Sequence, residues 1–232
     1  MSIVATNLAA AHDLTDKINT PYSTASISFV RGRAYLLTIR ARVASGTPGV
    51  GTVAGGGNTW ALLETVNISN ITIWLYSCTA VSTVADAIDI TPDNVTTWTQ
   101  AAWIVDEFTN VAATPVVQSE QNSDPASHSS LTVTLAAFAG PNNVAYGVFT
   151  QNEDTAITAG SGFSDLGATG TAVENSNRVK SIWKRGADTT VDVTTETTTA
   201  DIFGAAAEIA VGDVEPAAFV PINAQRGNIW YR

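Results

Sequence analysis

Few side chains in this sequence have the types and spacing that catalysis requires. Its two histidines, His12 and His128, lie outside any recognisable motif, and no Gly-x-Ser-x-Gly nucleophile elbow occurs. The Gly-Ser-Gly segment at 160–162 is typical of a turn, and the three glycines at 55–57 lack the Lys-Ser/Thr pair of a phosphate-binding loop. We therefore predict no catalytic residue and expect a non-enzymatic protein without a cofactor.

Carboxylates are the remaining candidates for chemistry, because a glycosidase needs only two of them across a sugar bond. By type, the candidates are Asp86, Asp89, Asp93, Asp106 and Glu107. Asp89 and Asp192 each stand between two β-branched residues that would point inward, so both are expected to face solvent. Glu107 and Glu208 end corresponding strands, which favours a repeated structural role. No metal site is predicted from two histidines without a cysteine cluster, although calcium bound by loop carboxylates stays open.

The composition is that of a β-rich globular protein with an acidic balance. Of the 232 residues, 45% are hydrophobic and 14% are charged, and the formal net charge is −10. So acidic a chain lacks the basic footprint of nucleic-acid binders, and no nucleic-acid partner is expected. Cys78, the sole cysteine, lies in an apolar run, which predicts a buried, inert thiol. The sequence shows neither a signal peptide nor a membrane-spanning apolar stretch, so we expect assembly in a cytoplasm and no membrane partner.

Alternating apolar and polar residues predict strands along most of the chain. In the segment 35–43, Arg40 and Arg42 share one face of the predicted strand. The opposite face carries the apolar residues Leu37, Ile39, Ala41 and Val43. Turns rich in Gly, Pro and Asn separate the strand-length segments. This pattern favours an all-β, antiparallel sandwich over a βαβ fold. Only Thr6–Lys17 has the residues for a short helix.

The order of the strand-like segments repeats at an offset of roughly a hundred residues, as in duplicated architectures. In segment 55–63 an aromatic residue follows a Gly-rich turn and Leu follows three residues later, and segment 160–166 repeats this arrangement. The Ile-Asp-Ile triplet at 88–90 is answered by Val-Asp-Val at 191–193. We interpret the repeat as an internal duplication. The competing interpretation is that Thr- and Val-rich β sequence always resembles itself.

The duplication divides the chain into a core with two arms. The half-repeats cover about 25–110 and 128–211, and residues 1–24 and 212–232 are expected to be N- and C-terminal arms. The C-terminal arm carries the apolar segment Ile229-Trp230-Tyr231. We expect it to dock either on the protein's own body or on a neighbour, because such side chains are unfavourable in water.

A cluster of arginines stands out in this acidic chain. Such residues either keep an exposed edge soluble or form a patch that pairs with acidic surfaces of a neighbouring subunit. With the C-terminal apolar segment they form the candidate partner interface, which comprises Arg31, Arg33, Arg40, Arg42, Ile229, Trp230 and Tyr231.

Several segments together resemble a jelly-roll-like β-sandwich of tailed-bacteriophage virion proteins and related prophage-encoded surface proteins. The likeness covers residues 25–211, and its motifs are matched in pattern rather than in identity. The segments that carry it are 34–43, 57–63, 73–76, 130–136, 158–167 and 188–192.

The resemblance implies either a capsid decoration (cement) protein or a tail-fibre or baseplate module, and it brings no catalytic motif. A single sandwich with two short arms fits a decoration protein on the capsid surface better. Its implied partners are the major capsid protein and copies of itself, in a homotrimer. In the alternative, an exposed aromatic side chain stacks on host-surface carbohydrate. Trp98, which polar residues flank, is the candidate, and a core Trp on a buried strand is the competing interpretation.

Overall fold

The computed structural model of the chain describes residues 2–125, 129–153, 155–169, 178–196 and 201–212. Strands dominate these residues, and no helix occurs among them. The strands are β1 (Val4–Asp13), β2 (Tyr22–Ser23), β3 (Ile27–Phe29), β4 (Ala34–Val43), β5 (Val50–Gly55), β6 (Ala61–Ile68), β7 (Ile71–Thr79), β8 (Val84–Asp86), β9 (Ile88–Pro92), β10 (Trp98–Thr109), β11 (Val111–Asp124), β12 (Ser130–Thr134), β13 (Val144–Gln151), β14 (Ile157–Ala159), β15 (Ser164–Thr169), β16 (Val179–Arg185), β17 (Thr190–Thr195) and β18 (Ile202–Val211).

Two five-stranded antiparallel sheets form the centre of the molecule. Their strand orders are β1-β10-β4-β7-β6 and β11-β18-β13-β16-β15, and the second order repeats the first element by element. A three-stranded sheet packs on each of them, with the orders β2-β9-β5 and β12-β17-β14. The prediction of an all-β, jelly-roll-like antiparallel sandwich is confirmed.

Three hydrophobic cores separate four layers of sheet. The middle core lies between the two five-stranded sheets and contains residues of both halves, such as Leu36 and Val148. The outer cores lie beneath the three-stranded sheets. Because successive side chains of a strand point to opposite faces, Leu36 enters the middle core while Leu37 enters an outer one. Both faces of the central sheets are therefore buried.

The two central sheets face each other across an approximate twofold relation. Strand β1, at one edge of the first sheet, lies against β15 of the second, and β6, at the opposite edge, lies against β11. Exchanging the halves converts one of these junctions into the other. Between them, Phe108 packs edge-on against Tyr146, with ring centroids 5.5 Å apart. This geometry is favourable for aromatic pairs.

The expected N-terminal arm is wrong, and so is the expected short helix within it. Residues Val4–Asp13 form β1, whose backbone groups pair with β10, so these groups take part in a ladder instead of a helix. Ala5 packs on the middle core and Leu8 on an outer core, as the two-residue period of a strand requires. Pairing with β10 and these contacts on both faces hold the segment in the sheet.

The boundaries of the two halves also differ from the prediction. The first half starts at β1 rather than at residue 25, and the second starts at β11 rather than at residue 128. Asn110 joins them in the left-handed backbone conformation, with a φ of 60°, which Asn tolerates better than most residues. Of the expected C-terminal arm, Gly212 is described, and residues 213–232 lie outside the described residues.

The middle core predicts a large cost for losing an aromatic ring that joins the halves. Phe108 is fully buried, so we expect Phe108→Ala to lower the free energy of unfolding by about 3–5 kcal/mol. Urea denaturation would measure this change. Val95→Ala, at a residue that is 77% exposed, should change stability by less than about 0.5 kcal/mol. Equal effects of the two substitutions would contradict the packing described.

Candidate functional site

Asp106, which lies on β10 between the two halves, is a completely buried carboxylate. Its carboxylate accepts hydrogen bonds from Asn7 Nδ2 and from the Tyr146 hydroxyl, each at 2.8 Å. Asn7 belongs to β1 of the same sheet, whereas Tyr146 belongs to β13 of the opposite sheet. The carboxylate thus ties the two central sheets together across the middle core.

The surroundings of Asp106 change its acidity. Complete burial disfavours the charged form and raises the pKa of Asp106 to about 6, against the lowering effect of hydrogen bonds from Asn7, Ser181 and Tyr146. Burial and the nearby Asp106 carboxylate raise the pKa of Tyr146 well above its ordinary value. The phenol therefore remains a donor to Asp106 at all physiological pH values.

Glu107 and Glu208 occupy corresponding positions in the two halves, and both carboxylates are buried. Glu107 accepts hydrogen bonds from Arg33 Nη1 at 2.8 Å and from the Tyr35 hydroxyl at 2.7 Å. Glu208 accepts from Gln118 Nε2 at 2.6 Å and from the backbone N–H of Ala139 at 2.8 Å. Each glutamate joins its central strand to a neighbouring loop or strand, which is the repeated structural position predicted for the pair.

The four arginines of the candidate interface are not brought together on one exposed face. Arg31 is exposed, and Arg42 is half-buried. Arg33 is partly exposed and paired with Glu107. Arg40 is completely buried, and burial, with a smaller effect of the neighbouring Arg42 charge, lowers its pKa to about 9. The prediction that Arg40 lies on an exposed patch is wrong, because the second half covers that face of β4.

Trp98 is also buried, so of the two interpretations of this residue the core Trp on a buried strand is the one found, and the exposed, sugar-stacking aromatic of the alternative is not. It is fully enclosed in an outer core and lies parallel to Trp74, with centroids 5.5 Å apart, and close to Tyr22 at 5.7 Å. Its indole N–H donates to the backbone oxygen of Gly49 at 3.2 Å. The polar neighbours in sequence mark the start of β10 rather than an exposed loop.

Other predicted positions are found as expected or lie outside the described residues. Asp89 is exposed on β9, and Cys78 is buried, where desolvation raises the pKa of its thiol to about 12. His128 and the segment Ile229-Trp230-Tyr231 lie outside the described residues. Within the described ranges, no three His, Cys, Asp or Glu side chains gather as metal ligands. The same ranges contain no helix that is long and apolar enough to cross a membrane.

The bridging role of Asp106 does not follow from the sequence, which carries only a faint signal for it. The residue stands within the run Ala101–Phe108, which is otherwise apolar except for Glu107. Two adjacent acids in such a run indicate one carboxylate on each face of the strand. Both acids need buried hydrogen-bond donors only if both faces of the strand are covered.

No protein-family model, no curated protein and no solved structure matches this chain.

The raised pKa of Asp106 predicts a distinctive pH dependence of stability. Its ordinary value is 3.8 and its folded value is about 6, so the folded state binds the proton more tightly. The resulting stabilisation is full below about pH 4 and is lost as pH rises through about 6. Relative to Asp106→Asn, the free energy of unfolding of the native chain should fall by roughly 2 kcal/mol between pH 4 and 7.

Urea denaturation across this pH range would test the prediction. Asp89→Asn provides the control for losing one carboxylate on an exposed face. Parallel pH profiles for the native chain and Asp106→Asn would show that Asp106 does not titrate in this window.

Proposed function

We propose that this chain is a non-enzymatic structural protein of a virion, specifically a capsid decoration protein that binds and braces the shell. The family resemblance of residues 25–211 points to this class. The fold expected from that resemblance, a jelly-roll-like antiparallel sandwich, is the fold found.

The observation that carries the non-enzymatic part of the proposal is the state of the buried carboxylates. Asp106, Glu107 and Glu208 are 0–5% exposed, and each accepts hydrogen bonds from at least two donors on other parts of the fold. A catalytic carboxylate must reach a substrate, and a general acid or base must lie within hydrogen-bond distance of the proton it transfers. These three carboxylates instead join strands and sheets, which favours a structural role over a catalytic one.

The proposed partners are the major capsid protein and neighbouring copies of this chain, arranged as a homotrimer on the capsid surface after assembly in the host cytoplasm. A four-layer block with two similar halves presents outer sheets for contact on two sides. Thr132, Thr134 and Thr190 are exposed on one of these sheets. Several weak contacts made by one protein strengthen its binding to a lattice, because each contact after the first forms while the protein is already attached. In the proposal, the C-terminal residues 212–232 add contacts to neighbours.

The alternative, a tail-fibre or baseplate module that binds carbohydrate, has less support. Its candidate residue, Trp98, is enclosed in a core. Among the residues that the structure describes, the exposed large hydrophobics are all aliphatic: Val4, Leu14, Ile18, Leu62, Val81, Val84, Val95 and Val117. Sugar-binding sites use exposed aromatic faces, so this surface favours protein contacts.

Imaging of particles from the source by cryo-electron microscopy tests the location. The proposal predicts density for this four-layer block at symmetry-related sites on the capsid exterior. Density at the tail tip, combined with binding of the purified chain to host glycans, would establish the alternative. Absence of the chain from purified particles would exclude both virion functions.

A binding assay with shells that lack this chain tests the role of the C-terminal segment. Replacing Ile229, Trp230 and Tyr231 by serine should weaken binding to such shells by at least about tenfold, as expected when a buried apolar contact is lost. Val95→Ser, at an exposed aliphatic residue of the described part, is the control. Unchanged affinity of the triple variant, with an unchanged urea midpoint, would remove the segment from the shell contact.

A further inference from the structure

An open groove of about 460 Å³ separates the edges of the two central sheets where β6 faces β11. Its walls include Ala61 and Leu63 on one side and Ala113, Pro115 and Val117 on the other. Proteins bind small ligands in spaces of roughly 300–1,000 Å³. The groove is therefore large enough for an aromatic side chain.

The junction related to this groove by the approximate twofold is closed. There, β1 meets β15, and Gly167 approaches Asn7 so tightly that a Cβ on Gly167 would overlap the Asn7 side chain. At the groove, the corresponding contact is a 2.5 Å hydrogen bond from Ser119 Oγ to Glu64. Beyond it the two edges separate, so the two halves differ at this point.

The separation has a cause in the path of β11. This strand leaves its register with β18 between Val111 and Val116, whereas β1 keeps an unbroken register with β10 from Val4 to Asn7. Bulges of this kind redirect an edge strand and are usually retained for a purpose. The bulged segment of β11 forms one wall of the groove.

The groove is continuous with the middle core. Leu63 and Val116, both of which line it, pack against that core. Val117, on its wall, remains 45% exposed. An apolar group in the groove would therefore extend an existing core and cover an exposed aliphatic side chain, which is favourable in proportion to the area buried.

The C-terminal segment of the chain starts beside this groove. Val211 pairs with Val111, and the backbone N–H of Gly212 donates to the Asn110 oxygen at 2.8 Å. Ala113, on the groove wall, follows Val111 by two residues, or about 7 Å of strand. Residues 213–232 lie outside the described part, and they end in Asn-Ile-Trp-Tyr-Arg.

We propose that, in the isolated chain, its own C-terminal apolar segment Ile229-Trp230-Tyr231 occupies the groove between β6 and β11. The connecting residues 213–228 can span far more than the length of the groove, since an extended chain covers roughly 3.3 Å per residue. Tethering holds the segment at an effective concentration of about millimolar, so even a weak contact is populated. The inference holds whether or not the chain is a virion protein. Binding of a neighbour by the same residues would require them to leave the groove.

Hydrogen exchange of the full-length protein, followed by mass spectrometry, tests the proposal. Trp230→Ser should accelerate exchange of the amides at 112–118 by about tenfold, because these backbone groups lose their cover. Val117→Asp, on the groove wall, should produce the same acceleration. Val95→Asp, which changes an exposed valine away from the groove, should leave these amides unchanged. Far-ultraviolet circular dichroism that keeps the β-sheet signal of the native chain would establish that all three variants are folded.

Unchanged exchange at 112–118 in Trp230→Ser would overturn the proposal. The native measurement is repeated at protein concentrations a hundredfold apart. Protection that is independent of concentration supports occupation by the chain's own segment. Protection that disappears on dilution would assign the groove to a second copy and overturn the proposal as stated. These outcomes concern the isolated protein, so they are separate from the result of the shell-binding assay.

Discussion

The fold depends on burying both faces of two five-stranded sheets. In an ordinary two-layer sandwich each sheet keeps one solvated face, and alternate residues of its strands can be polar without a partner. Here the central strands β4, β10, β13 and β18 are buried at nearly every position. Each polar side chain on these strands therefore needs a partner within the protein, because burying an unpaired polar group costs several kcal/mol. Burying an unpaired charge costs more. Asp106, Glu107 and Glu208 meet this requirement through donors on other strands and loops.

The two halves are related but not interchangeable. In the first half Asp106 lies opposite Leu36, and in the second half Ala207 lies opposite Tyr146. The twofold relation brings the Asp106 carboxylate to the Tyr146 hydroxyl on one side of the middle core, while the corresponding pair, Leu36 and Ala207, is apolar. This polar bridge and the hydrogen bond from Ser119 to Glu64 join the halves at defined positions, and the apolar positions supply burial. The open junction at β6 and β11 is a second departure from symmetry, produced by the bulge in β11.

These features connect the fold to the proposed structural role. A shell-binding protein needs a stable body and surfaces that contact several neighbours, and it has no need of a deep polar pocket. The buried acids contribute to the body, and the outer three-stranded sheets offer two similar contact faces. A groove that holds the chain's own apolar segment would keep these side chains covered before they meet a partner. Taken together, the two proposals have the C-terminal residues contact the groove in the free protein and a neighbour in the assembled one.

The sequence by itself determined most of the strands, their repeated order and the alternation of their two faces, but it predicted a helix at β1 and left β11 between the half-repeats. The alternation in 35–43 correctly separated Arg40 from Leu37, and the paired glutamates were correctly placed at equivalent positions. It did not determine what covers each face, because the period of a strand is the same whether the second face meets water or another sheet. Arg40 was misplaced for this reason, and for Trp98 an exposed position and a core position both stayed open. The N-terminal strand was misplaced because its weakly periodic sequence also suits a helix. Only the tertiary structure, by packing one half on the other, decided that these groups are buried and that Asp106 meets Tyr146.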